Sequence, residues 1–149
     1  MTRVPEKEKP PLWKCPNCGQ RFVTRNMSHS CGHYSIDAHF AKKDPHIRVL
    51  FEQLVRAARA CGPVHVYAQK TRIVFQTRGR FVAVTPRKHH LGGHIWLKRP
   101  RSHPRIHRID PLLGRDFVHN FRLTRPEDID DGFCDLIREA YLVGNQQIL

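Results

Sequence analysis

Cys15-Pro16-Asn17-Cys18-Gly19 places two thiols three residues apart on a tight turn. A Cys-x2-Cys step with Pro inside and Gly after it is a zinc knuckle. It aims two thiolates at one point and turns backbone N–H groups toward the sulfurs. Zinc completes a tetrahedron with four nitrogen or sulfur ligands. Further ligands follow in Met27-Ser28-His29-Ser30-Cys31-Gly32-His33. Cys15, Cys18 and His29 are the first three choices, and the fourth is Cys31 or His33. The His33 pairing leaves ten residues between the second Cys and the first His, against about twelve in a helical finger. A thiolate is also the softer donor. The expected set is therefore Cys15, Cys18, His29 and Cys31 around one Zn2+, with His33 as the rival or as a supporting donor. Four protein ligands close the site, which makes the ion structural. About twenty residues bury too little surface to fold alone, and Trp13 and Phe22 are expected to pack over the metal.

Other residues invite chemistry less strongly. His90 and His94 are four apart, but Gly92-Gly93 disfavours the helix that would align them. They read as solvated histidines, as do His103 and His107. A magnesium-dependent nuclease needs clustered acids. The middle of the chain offers Asp110 and Asp116 alone, and Asp130, Asp131 and Asp135 suit the start of a helix. A metal-free ribonuclease would use His94 or His119 with Lys70. Cys61 and Cys134 extend apolar stripes and read as small core residues.

The elements that must carry these groups follow from periodicity. Asp44 and Pro45 start a helix whose apolar stripe is Ile47, Leu50, Phe51, Leu54, Val55 and Ala58, and Gly62-Pro63 stops it. Strands are expected at 64–68, 72–76, 81–85, 94–98, 106–109 and 117–123, the fifth a short edge strand. A hairpin turn at 77–80 would use Gly79 for positive φ. Thr124-Arg125-Pro126-Glu127 reads as a capping box for a last helix carrying Ile129, Phe133, Leu136, Ile137 and Ala140. The expected fold class is α+β: a helix, an antiparallel sheet of about five strands, a helix, and a small zinc-knuckle module at the N-terminus. Residues 1–12 read as a disordered lead, 13–33 as the zinc module, 34–43 as a linker and 44–149 as the α+β domain.

The chain of 149 residues has a net charge of +13. The excess is uneven. Residues 64–125 hold 14 Lys and Arg against 2 Asp and Glu, whereas residues 126–149 hold 1 against 6. Such a middle favours a polyanion, nucleic acid before an anionic membrane. The residues expected to meet phosphates are Lys70, Arg72, Arg78, Arg80, Arg87, Lys88, Lys98, Arg99, Arg101 and Arg105. Of the strand aromatics Phe75, Phe81, Trp96, Phe117 and Phe121, at least three should lie inside, with Trp96 the candidate platform for a base. The N-terminus has no apolar signal segment, and no run approaches the roughly 20 residues of a membrane span. Five cysteines, three of them clustered, indicate a metal in a reducing compartment, hence the cytoplasm.

Trp13-Lys14-Cys15-Pro16-Asn17-Cys18-Gly19, His29-Ser30-Cys31-Gly32 and Asp37-Ala38-His39-Phe40 resemble the start of a bacterial family of unknown function. Lys70–Phe75, Trp96–Arg99, Arg115–His119 and Asp135–Tyr141 resemble its main domain. Related domains carry the label "predicted transport protein", and some are attached to nuclease-like domains. The resemblance favours His29 with Cys31 as the second ligand pair and implies no defined activity. The expected function is a zinc-stabilised, basic protein that binds nucleic acid without catalysis. The alternatives are a nuclease or nucleotide-processing enzyme using a basic cleft, and an adaptor for an acidic protein partner.

Overall fold

The structure is a computed structural model describing residues 9–27 and 31–148. Trp13–Lys14 (β1) and Arg21–Phe22 (β2) form a two-stranded antiparallel ribbon. Two helices follow, Ile36–Phe40 (α1) and Pro45–Arg59 (α2). Six strands come next: His65–Ala68 (β3), Ile73–Gln76 (β4), Arg80–Pro86 (β5), Leu91–Leu97 (β6), Ile106–Leu112 (β7) and Asp116–Leu123 (β8). The helix Asp131–Gly144 (α3) completes the order. The fold is thus α+β, with six strands in the main sheet where about five were expected. The segment read as a linker contains α1, whose Ile36 and Phe40 pack against the core.

Sheet order is β3-β4-β5-β6-β8-β7, antiparallel throughout. β6 and β7 run the same way with β8 between them, so residues 98–105 must cross over β8. One sheet face packs under α2 and α3. Alternation along the strands supplies that face: Ile73 and Phe75 from β4, Val82 and Val84 from β5, Leu91, Ile95 and Leu97 from β6, Phe121 and Leu123 from β8. The whole expected α2 stripe is buried against them, as are Phe133, Leu136, Ile137 and Ala140 of α3. Gly93 sits where a Cβ would come within 2.5 Å of the Ala83 carbonyl oxygen and 2.6 Å of the Phe121 ring. The missing side chain lets that ring close onto the sheet.

Three local expectations are corrected. Asp44 is the N-cap of α2 by backbone, but its carboxylate makes no cap bond and instead binds His89 Nδ1 at 2.6 Å. Thr124–Glu127 does not open α3: Pro126–Asp128 forms a 3-10 turn, and Asp130 caps α3 by accepting the Phe133 N–H at 2.8 Å. Asp128 accepts from the Thr124 and Arg125 N–H groups and bends the chain first. Gly79 does not have a positive φ; its N–H donates to the Gly144 carbonyl at 2.8 Å and joins the turn to the end of α3.

Candidate metal centre and basic sheet face

The knuckle is built by its backbone. The Cys15 N–H donates to the Gln20 carbonyl at 2.8 Å, and the Gly19 N–H returns to the Cys15 carbonyl at 2.9 Å. Gly19 has φ of 77°, a left-handed position that suits glycine. This turn brings Cys15 and Cys18 together between β1 and β2, and Cys31 joins them. The three sulfurs lie within 4.8 Å of one another, with Cys15 and Cys31 3.8 Å apart. Tetrahedral zinc with Zn–S bonds of about 2.3 Å sets its sulfurs about 3.8 Å apart, so the donor set fits a thiophilic ion. His29 lies outside the described residues. His33 is not part of the cluster.

Backbone N–H bonds from Cys18, then Asn17, hold the Cys15 thiol below its ordinary pKa. Desolvation and the adjacent thiols push Cys31 up to about 11. Three thiols crowded around one point cannot all ionise without a cation to share them, and an ion there would remove that penalty. Trp13 and Phe22, the residues expected to pack over the site, lie against each other across the ribbon with ring centroids 6.2 Å apart.

The knuckle lies against the sheet face that the helices leave open. Gln76 donates a side-chain N–H to the Arg21 carbonyl, and Arg80 stands over the Phe22 ring at 5.3 Å. Beside this junction His65 stacks on Tyr67, and the Tyr67 hydroxyl donates to Gln76 at 2.6 Å. Burial pushes the Tyr67 pKa up to about 12. Arg72 is oriented by its Nε–H bond to Gln69 Oε1 at 2.8 Å, and its guanidinium lies 6.0 Å from the Trp96 ring centre. Burial, then the charge of Arg80, makes the Arg72 cation less favourable than usual. His94, edge-on to Trp96 at 4.7 Å, is pushed down to about 4 by burial and by Arg72.

The ten cations expected to meet phosphates divide into two groups. Lys98 is paired with Asp116 at 2.6 Å. Arg99 and Arg101 hold Glu139 of α3 at 2.9 and 2.6 Å. Arg105 lies 3.6 Å from Asp128. These four sit on or beside the crossover loop; Arg99 and Arg101 tie it to α3, Lys98 to β8 and Arg105 to the turn before α3, so much of their charge is offset within the chain. Arg78 donates to the Pro10 carbonyl and to Gln146. Lys70, Arg72, Arg80, Arg87 and Lys88 have no carboxylate partner among the described residues. Lys70, Arg87 and Lys88 are exposed in the turns before β4 and before β6, whereas Arg72 and Arg80 lie half-buried on the open face. The sequence pattern does not separate the two groups, because the acids that neutralise the first lie up to 40 residues away.

Several of the groups considered for catalysis are engaged elsewhere. His119 is fully buried; its Nε2 accepts the Arg101 N–H at 2.9 Å and its Nδ1 faces the Phe117 carbonyl at 3.0 Å. That arrangement requires the neutral ring with its proton on Nδ1 and leaves no nitrogen to relay one. His103 binds Asp130 at 2.8 Å. No carboxylate cluster accompanies the three cysteines as a metal site among the described residues. Burial raises the pKa of Cys61 and Cys134, and both pack against the core. Phe75, Phe81 and Phe121 are fully buried, while Phe117 and Trp96 are half-buried.

Fold and site together define an α+β protein with a three-cysteine cluster at one end and an uncompensated cationic sheet face. A family model described as a domain of unknown function (DUF5655) matches residues 36–144, from α1 through the end of α3. The chain belongs to that family, and the cysteine cluster lies outside the matched segment. No curated protein matches the chain, and no solved structure does. No helix among the described residues is long and apolar enough to cross a membrane.

Proposed function

We propose that this is a zinc-stabilised protein that binds nucleic acid without catalysing a reaction on it. The reading is carried by Arg72 and Arg80: two half-buried guanidiniums share one face, close enough for the charge of one to act on the other, and neither is paired with a carboxylate among the described residues. Cations that only solvate a surface extend into water. These two are partly desolvated, a cost that an incoming phosphate would offset. Lys70, Arg87 and Lys88 add exposed charge on the turns of the same sheet and would act as general phosphate contacts.

Zinc would be held by Cys15, Cys18 and Cys31 with His29 as fourth ligand. Its contribution would be structural: it would fix the turn that presents Phe22 to Arg80. The mixed role of the crossover loop argues for a phosphate-binding surface smaller than the charge count suggests, centred on the β3–β6 part of the sheet.

Filter binding with single-stranded DNA, duplex DNA and RNA of matched length tests the reading. Micromolar or tighter binding at low salt is expected for at least one of them. Absence of binding to all three would discard it.

A further inference from the structure

Beside the knuckle, the open face hollows into a cleft of about 420 Å³. That volume falls in the range of small-molecule sites, about 300–1,000 Å³. Arg72 and Arg80 line it together with Lys98, Asp116, Trp96 and Met27. Its charge is unbalanced in a specific way. Lys98 and Asp116 satisfy each other at 2.6 Å, which leaves the two arginines as its net charge. Neither guanidinium has an acid partner among the described residues, and the two repel each other. Arg72 is also held in place, by Gln69 on one side and the Trp96 ring beyond. A positioned guanidinium loses less entropy on binding an oxyanion than a free one. Trp96 and Met27 give the same cleft an aromatic and apolar wall.

We propose that this cleft binds a nucleotide unit, with its phosphate oxygens between Arg72 and Arg80 and its base against the wall formed by Trp96 and Met27. The inference rests on the reading above and locates it: the cleft would take one phosphate and one base, whether from a free mononucleotide or from a residue of a single strand. Arg87 and Lys88, at the far end of β5, play no part in it. A duplex, whose bases are stacked inside, could offer the cleft its phosphate alone.

Calorimetric titration with AMP, with inorganic phosphate and with an oligo-dT 12-mer tests this on the full chain. AMP should bind more tightly than phosphate. Arg72→Gln and Arg80→Gln should each weaken AMP by about tenfold, as expected for losing a charge-assisted hydrogen bond. Trp96→Leu should erase most of the preference for AMP over phosphate, and Arg59→Gln, at the exposed end of α2, should leave AMP unchanged. Where a variant loses its fold, AMP added to the isotope-labelled wild-type protein gives the same answer. The Trp96 indole N–H and Arg72 Nε–H signals should shift, and the Arg87 amide should not. Failure of AMP to bind, or unchanged AMP affinity in folded Arg72→Gln and Arg80→Gln, overturns the cleft assignment. If oligo-dT still binds in that case, the nucleic-acid reading survives without the cleft. If AMP binds through Arg72 and Arg80 but oligo-dT does not, the cleft stands and its source is the free nucleotide.

Discussion

Arg80 at the start of β5 stands 5.3 Å from the centre of the Phe22 ring on β2. One residue thus belongs to both halves of the molecule, as a cation of the sheet face and as a contact of the metal module. The ring shields one side of the guanidinium from water and so strengthens its attraction for an anion on the other. Integrity of the knuckle and affinity for phosphate should therefore be coupled.

Metal removal should separate the two modules without unfolding the main one. The buried core cluster contains no residue of the knuckle, whereas metal binding is worth on the order of 10 kcal/mol in small zinc modules. Purified protein should carry about one equivalent of zinc. Chelation should lose signals of Trp13 and Phe22 by NMR while those of α2 and α3 persist. Cys31→Ala should lose the metal and His33→Ala should retain it; the reverse would move the fourth ligand.

Gly93→Ala should be among the costliest single-methyl additions in the chain. Both obstacles to its Cβ are rigid, one a backbone carbonyl and the other a buried ring. Overpacking of this kind costs about 1–3 kcal/mol, and a urea denaturation curve should show a loss toward the upper end. Stability equal to wild type would mean that β6 can move away from Phe121.

Glu139 anchors the crossover loop. Burial alone would raise its pKa, but hydrogen bonds and charge from Arg99 and then Arg101 outweigh that and hold it below the ordinary carboxylate value. A depressed folded-state pKa gives stability that is present above the unfolded value of about 4.3 and lost as pH falls through the folded one. Glu139→Gln should cost about 1–3 kcal/mol at pH 7. Its difference from wild type should shrink as the pH is taken below 4. A constant difference would place the effect in packing.

His94 should stay neutral in the fold to about pH 4, while the unfolded chain takes up that proton near 6.5. Stability is then present above pH 6.5 and falls as pH drops from 6.5 toward 4. An NMR titration of the ring should show its midpoint near 4, and His94→Gln should flatten that part of the pH–stability profile. A midpoint near 6.5 would mean that the open face is wetter than Arg72 and Trp96 make it.

α2, α3 and most strands of the main sheet were legible because each has one apolar face, whereas α1, five residues long, was too short to show a period. The α2 stripe could be read residue by residue from its 3.6-fold period, and Phe117, His119, Phe121 and Leu123 alternate as β8 does. The first part of β6 was not legible, since Leu91-Gly92-Gly93 carries two glycines that read as a loop; Gly93 is there to admit Phe121 and the Ala83 carbonyl. The cap of α3 lies six residues beyond Thr124, at Asp130, because Thr124 and Arg125 serve Asp128 before the helix starts. Two cysteines on a short turn announced the cysteine cluster by spacing alone. The division of the basic residues was hidden for the opposite reason. Whether an arginine is free or paired depends on acids brought near by the crossover, and local spacing carries no trace of Arg99 meeting Glu139.

A salt titration of single-stranded oligonucleotide binding tests the central claim most directly. Each phosphate neutralised on a single strand contributes a slope of about −0.7 to log K against log salt. A surface centred on Arg72 and Arg80, with Lys70, Arg87 and Lys88 around them, predicts binding that weakens linearly with a slope between about −1.5 and −3.5. A slope that becomes shallower by about 0.7 in Arg72→Gln would support the account. Affinity that does not change with salt, or no affinity at low salt, would contradict it.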